Sequence, residues 1–189
     1  SILLSLSAGV PVEDIVTLRT RLLDIHAIPD DRGYYDFVVI GGGLSGICAA
    51  ISAARLGNRV ALVQDRKVLG GNNSSEVRVG LGGRINIGEY PSLGYLLNEF
   101  APSRKGNARP ADIYEDEKKM AAVLKEKNIT LFLGYKVTSV EKKDLSNIAS
   151  VIATNVDDYR TIRIAGRFFA DCTGDATLGV LSGAEWTMG

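Results

Sequence analysis

Asp36-Phe37-Val38-Val39-Ile40, followed at once by Gly41-Gly42-Gly43-Leu44-Ser45-Gly46, is the stretch from which the fold can be read. Its first five residues are a short, nearly continuous apolar run, as expected of a strand buried on both faces of a parallel sheet. Glycines then fall at 41, 43 and 46, a G-x-G-x-x-G spacing. From Ile47 to Leu56 the chain is Ala-rich and helical, and it ends at Gly57-Asn58. Gly57 suits the left-handed position just past a helix C-terminus. Arg59 to Gln64 is a second buried strand. Residues 36–64 therefore make one β-α-β unit, the length expected of that motif.

Lone G-x-G-x-x-G spacings are common, but here the strand before and the helix after supply the context that gives the motif meaning. Gly41 permits the tight strand-to-helix turn. Gly43 has no Cβ, so the backbone can approach a pyrophosphate closely. Gly46 lets the helix pack against the strand. The opening amides of the helix, at Leu44 and Ser45, have no intrahelical partners and carry partial positive charge. A glycine-rich turn with no ligand would need all three positions to coincide by accident. The fingerprint itself does not distinguish FAD from NAD. An acidic ribose-reading residue is expected about 20 residues on, at the end of the second strand. Gln64 stands there, with Asp65 next, and either one can take the role; Arg66 raises a second option, a 2′-phosphate and hence NADP.

Outward from this unit the pattern is less regular. Ile15, Leu18, Leu22 and Ile25 place a helix over 12–25, and Pro29-Asp30-Asp31-Arg32-Gly33 reads as a turn or linker. Residues 1–33 are thus expected to be a helical appendage, and 34–189 a partial Rossmann domain. Residues 67–90, rich in glycine and polar side chains, read as a functional loop rather than core. A short helix is expected near 92–99. An amphipathic one follows over Asp112–Lys127, with Ile113, Met120, Ala121 and Leu124 on one face. Thr130–Leu133 is a third strand. Residues 135–141, 148–155 and 159–164 suggest an antiparallel meander, and Arg167–Asp171 a further strand leading into Cys172-Thr173-Gly174-Asp175. The fold class is α/β: a Rossmann-like FAD/NAD(P)-binding parallel sheet with a three-stranded antiparallel meander, incomplete at its C-terminus.

Composition excludes several classes. Lys+Arg and Asp+Glu both number 22, so no basic field attracts nucleic acid. The tyrosines lack the basic interleaving of a base-stacking platform. Cys48 and Cys172 lie outside any metal-ligand spacing, His26 alone cannot build a metal cluster, and no apolar run is long enough to span a membrane. Ser1–Val10 lacks a basic n-region and reads as a cut end rather than a signal peptide. Neither compartment nor self-association into a homo-oligomer is fixed by the sequence.

The glycine turn, Ala61-Leu62-Val63-Gln64-Asp65-Arg66 and Val68-Leu69-Gly70-Gly71-Asn72 together resemble bacterial FAD-dependent oxidoreductases with the glutathione-reductase-type fold, distantly similar to the fumarate reductase flavoprotein. The resemblance spans roughly residues 35–189. It implies FAD as cofactor, with Gly70, Gly71 and Asn72 along it and backbone contacts to the adenine near Val137. Asp171–Asp175 is similar to the family's second strand-end motif, which implies a second approach to the dinucleotide at Thr173, Gly174 and Asp175. Cys172 stands where the family usually has Ala, which implies a packing residue rather than a redox thiol. The family's later Gly-Asp motif and substrate domain are not in the sequence, so the chain reads as an N-terminal fragment holding the ADP half of FAD, inactive and weak in FAD binding by itself. In the whole enzyme the flavin would act on a small-molecule substrate. Candidates near its ring are Asn72, Ser74, Ser75, Glu76 and Arg78, and no catalytic base is assigned. The alternatives are an NAD(P)-dependent dehydrogenase, against which the 69–72 loop and the meander argue, and a nucleotide-binding module without a redox role.

Overall fold

The structure, a computed structural model, describes residues 28–85 and 87–187. The helix expected over 12–25, His26 and the Ser1–Val10 segment lie outside the described residues. Six strands form one sheet in the order β3-β2-β1-β6-β5-β4. They are β1 (Asp30–Ile40), β2 (Val60–Gln64), β3 (Ile129–Leu133), β4 (Tyr135–Lys142), β5 (Ile148–Asn155) and β6 (Thr161–Asp171). Helices α1 (Leu44–Arg55), α2 (Tyr95–Phe100), α3 (Asp116–Leu124) and α4 (Thr177–Ser182) complete the described residues, with short 3₁₀ turns at Pro91–Gly94 and Ala111–Tyr114.

β1, β2, β3 and β6 run parallel, while β4 and β5 form the antiparallel meander with β6. The parallel strands are apolar on both faces because both are covered. Val39, Val60 and Leu62 pack with Ile47, Ala50 and Ile51 of α1 and Val123 of α3. The alternate residues Val38, Ile40, Ala61 and Val63 pack with Val137, Val151, Ala153, Ile162 and Ile164 of the meander. Period-two alternation thus divides one sheet between a helical layer and a β layer. Every residue of β2, which lies between β3 and β1, is buried.

Four details differ from the sequence reading. The breaker-rich 29–33 stretch is the start of β1, not a linker. There Gly33 takes φ +85°, its amide donates to the Asp31 carboxylate at 2.7 Å, and the β1–β6 register shifts between Asp31 and Tyr34. The segments expected as separate strands at 159–164 and 167–171 are one strand, β6. Its first part pairs with β5 as far as Ala165, and its last residues, to Asp171, pair with β1 alone. The helix expected over 112–127 is broken at Glu115, whose φ is +46°, and its buried face carries Lys119 and Val123 while Leu124 is 65% exposed. The 67–90 loop is partly core: Leu69 and Ser74 are inaccessible, and Asn73 nearly so.

Candidate functional site

The ends of β1, β2 and β6 and the front of β4 open onto one cleft of about 590 Å³, within the range of small-molecule sites. Of the residues singled out from the sequence, Gly41, Gly43, Leu44, Ser45, Gln64, Asp65, Arg66, Gly70, Gly71, Asn72, Val137, Thr173, Gly174 and Asp175 all line it. Gly46 sits behind, inside the turn.

The three fingerprint glycines do separable work. Gly41 has φ +103°, and a Cβ on it would lie 2.2 Å from the Cys172 carbonyl oxygen. A Cβ on Gly46 would lie 1.8 Å from the Gly41 carbonyl oxygen. Both positions are closed by the fold itself. Gly43 is different: it is extended (φ −68°, ψ −179°) at the N-cap, and a Cβ there would meet only the Gly71 Cα, at 4.0 Å. Among the described residues nothing requires that position to be glycine, and the space a methyl group would take opens into the cleft. Helix α1 has no side-chain cap and no acidic residue in its first turn. Its first amide bond back into the helix is Ile47 N–H to the Gly43 carbonyl, so the preceding amides are left to a ligand or water.

Gln64 is turned inward. Its Oε1 accepts the Gly42 amide at 2.7 Å and its Nε2 donates to the Val68 carbonyl at 3.3 Å. Gly42 in turn accepts the Gly70 amide at 2.8 Å, and Gly43 and Gly70 form an isolated parallel bridge. The amide of Gln64 therefore clamps the two glycine turns together. Asp65 is exposed beside it, and Arg66 lies 3.6 Å from Glu76.

At the second strand end the Cys172 amide donates to the Ile40 carbonyl at 2.7 Å, which locks β6 to β1 at the turn. Asp171 accepts from the Thr173 hydroxyl at 2.7 Å and the Gly179 amide at 3.0 Å, and the Thr173 hydroxyl accepts the Thr177 amide at 3.0 Å. Burial pushes the Asp171 carboxyl up, but the hydrogen bonds from Thr173, Gly179 and Leu178 outweigh it and leave it below the usual carboxylate range. Burial pushes the Cys172 thiol up, against a smaller opposing hydrogen bond from Ser45. That is the setting of a packing thiol, not an activated one.

Of the residues expected near a flavin ring, only Asn72 lines the cleft. Ser74 is buried, with its hydroxyl on the Gly71 carbonyl at 2.7 Å. Ser75 offers its amide to Asp116, and Glu76 is spent on Arg66. Arg78, at φ +64°, bonds back to the Ser75 carbonyl at 2.9 Å. Sequence reasoning missed Asn73, Tyr135, Lys136 and the 79–82 segment, which also line the cleft. Asn73 Nδ2 donates to the Val79 carbonyl at 2.9 Å, while its buried Oδ1 has no partner among the described residues. No residue-type pattern marks Asn73 or the 79–82 segment, which reach the cleft only through the fold of the loop, whereas Tyr135 and Lys136 stand on β4 directly before the expected Val137. Among the described residues no cluster of His, Cys, Asp and Glu is placed to hold a metal, and no helix is long and apolar enough to cross a membrane.

Residues 36–189 match the family described as FAD dependent oxidoreductase. The chain belongs to that family. Its cofactor is FAD, and the open cradle at Gly43, facing uncapped helix amides, fits the diphosphate of that cofactor. Solved structures agree on the fold. THI4 from Thermovibrio ammonificans superimposes with a TM-score of 0.56 at 19% identity, over 94% of this chain and 73% of that one. A 3-ketosteroid-delta4-(5alpha)-dehydrogenase from Rhodococcus jostii gives 0.56 at 12% identity, over 77% of this chain and 47% of that one. E. coli quinol fumarate reductase gives 0.51 at 14%, over 76% and 33%. In sequence, a soluble pyridine nucleotide transhydrogenase of Pseudomonas putida is 53% identical over 38 residues, which is 20% of this chain and 8% of that protein. The chain thus spans less than half of the steroid dehydrogenase and matches only a small part of the transhydrogenase.

Proposed function

We propose that this chain holds the ADP half of FAD in an oxidoreductase acting on a small-molecule substrate. The observation that carries the reading is the glycine at 43, which the protein's own packing does not demand and whose missing side chain leaves the α1 amides open to the cleft. The amides of Leu44 and Ser45 would receive the diphosphate, with the helix dipole adding about 0.3–1 kcal/mol when exposed. Gly41 and Gly46 hold the turn in shape. The Gly70–Asn72 backbone forms the opposite wall, Val137 faces the adenine, and Thr173, Gly174 and Asp175 meet the dinucleotide where it leaves the second strand end. Asp65 and Arg66 stand at the ribose end with Gln64 behind them. FAD supplies the redox chemistry when bound; the chain's part is to bind, orient and shield it.

The test is the visible spectrum and cofactor content of the purified intact protein. Stoichiometric flavin, released on denaturation and identified as FAD, is expected. A protein that takes up nicotinamide dinucleotides and no flavin would reject the reading.

A further inference from the structure

The 3₁₀ turn and helix spanning 111–124 lie behind the wall of the cleft made by Gly70–Asn73, and carry a fully buried lysine. Lys119 has no accessible surface, and it is not among the residues that line the cleft. Its Nζ donates to the Tyr114 carbonyl and lies 3.6 Å from Asp116 Oδ1. Its aliphatic stem lies against Gly70: a Cβ on that glycine would be 2.9 Å from Lys119 Cδ and Cε. Gly70, at φ +113°, can follow this path only as glycine.

The neighbours of Lys119 fasten the rest of the same loop. Both Asp116 oxygens accept the Ser75 amide at 3.1 Å. The Tyr114 hydroxyl, itself buried, lies 2.6 Å from the Arg78 carbonyl and accepts the Arg109 amide at 3.2 Å. One short stretch of chain thus grips the cleft loop at 70, 75 and 78. Lys119 joins those grips, because its ammonium neutralises Asp116 and ties the helix to Tyr114. A buried ammonium is costly unless it is paired, and removal of one partner leaves the other charge stranded. Burial also pulls the Lys119 ammonium down from its ordinary value, against the opposing pull of Asp116.

We propose that Lys119 is a positioning residue: from behind the cleft it sets the Gly70–Asn73 wall, so that FAD affinity depends on a side chain the dinucleotide never touches. This rests on the reading that FAD occupies the cleft.

The experiment uses the intact protein and its Lys119→Met and Asp116→Asn variants. Native-state hydrogen exchange is followed at the Gly70 and Ser75 amides, bonded to the Gly42 carbonyl and to Asp116, and at Val39 and Leu62 in the core. FAD affinity is measured by flavin fluorescence. In Lys119→Met the loop amides are expected to lose protection while the core amides keep theirs, and FAD affinity is expected to fall about tenfold. Asp116→Asn should show the same pattern more weakly, and it decides the matter if Lys119→Met does not fold. Unchanged loop protection with unchanged affinity overturns the proposal. So does an equal loss across loop and core, which marks a purely structural role. A parent protein that binds no FAD rejects the functional reading instead, and the exchange pattern still tests the loop.

Discussion

Gly43→Ala separates folding from cofactor binding. At this position the backbone is extended, which alanine adopts freely, and the new Cβ meets only the Gly71 Cα at 4.0 Å, an ordinary contact. Restricting the unfolded chain would stabilise by about 0.4–1 kcal/mol. A less favourable N-cap residue would cost a similar amount, about 1 kcal/mol at most. The two nearly cancel, so the melting temperature should move by no more than about 4 °C. Binding does not have that compensation. On the proposed reading the methyl group stands where the diphosphate comes closest to the backbone, and overpacking of this kind costs about 1–3 kcal/mol. At 1.4 kcal/mol per decade, FAD affinity should fall by about 5- to 150-fold. Thermal unfolding of the apoprotein and a fluorescence titration with FAD measure the two effects separately. Gly46→Ala is the contrast, because its Cβ would lie 1.8 Å from the Gly41 carbonyl oxygen and the fold itself must give way. A Gly43→Ala protein that keeps full FAD affinity would refute the assignment of the cradle.

Other outcomes follow from the same geometry. Gln64→Leu strands the Gly42 amide and the Val68 carbonyl and should destabilise the protein by about 1–3 kcal/mol, read by denaturant unfolding; an unchanged midpoint would show that the clamp carries no weight. Asp171, held below the usual carboxylate range, contributes stability that is present above its unfolded pKa of about 3.9 and is lost as pH falls through its lower folded value. Acidification through that window should deprotect the Gly179 amide, whereas in Asp171→Asn its exchange should not respond to pH beyond the intrinsic rate. Burial raises both cysteine thiols, so both should alkylate more slowly than an exposed cysteine at neutral pH. Added FAD should slow Cys172, which lines the cleft, and leave Cys48 unaffected; mass spectrometry of the two labelled peptides decides.

The β-α-β core was legible because each of its elements is specified locally. A run such as Val38-Val39-Ile40 can be satisfied only between two covered faces, and Gly41 and Gly46 sit where any Cβ collides with backbone. The antiparallel meander was legible too, though not that its last strand continues past Gly166 to lie against β1. A Cβ at Gly166 would sit 2.6 Å from Val38 Cγ2, a contact made across the sheet and invisible to a local pattern. Helix α3 was read by its apolar spacing, which put Leu124 inside and missed Lys119. A lysine is ordinarily assigned to solvent, and only the tertiary partners Tyr114 and Asp116 make its burial tolerable. The packing of Gln64 escaped the sequence for a related reason. Its side chain is long enough to extend into the cleft it lines, but the amide of Gly42 and the carbonyl of Val68 hold its amide group inward.

β6 loses one of its two partners part-way along its length, and that gives the sheet a seam. Past Ala165 it keeps β1 on one flank, and among the described residues no strand lies on the other. Phe168 is 59% exposed there, with the Arg167 guanidinium 5.0 Å above its ring. Unzipped backbone of this kind is a docking rail for any extended segment, and a charge beside it is a common guard against unwanted guests. A ribbon inserted at this seam would widen the sheet next to the Thr173 turn, which lines the cleft and packs through Cys172 against Gly41. The open flank of β6 and the glycine cradle thus meet at one strand end, and whatever lies along the first bears on the second.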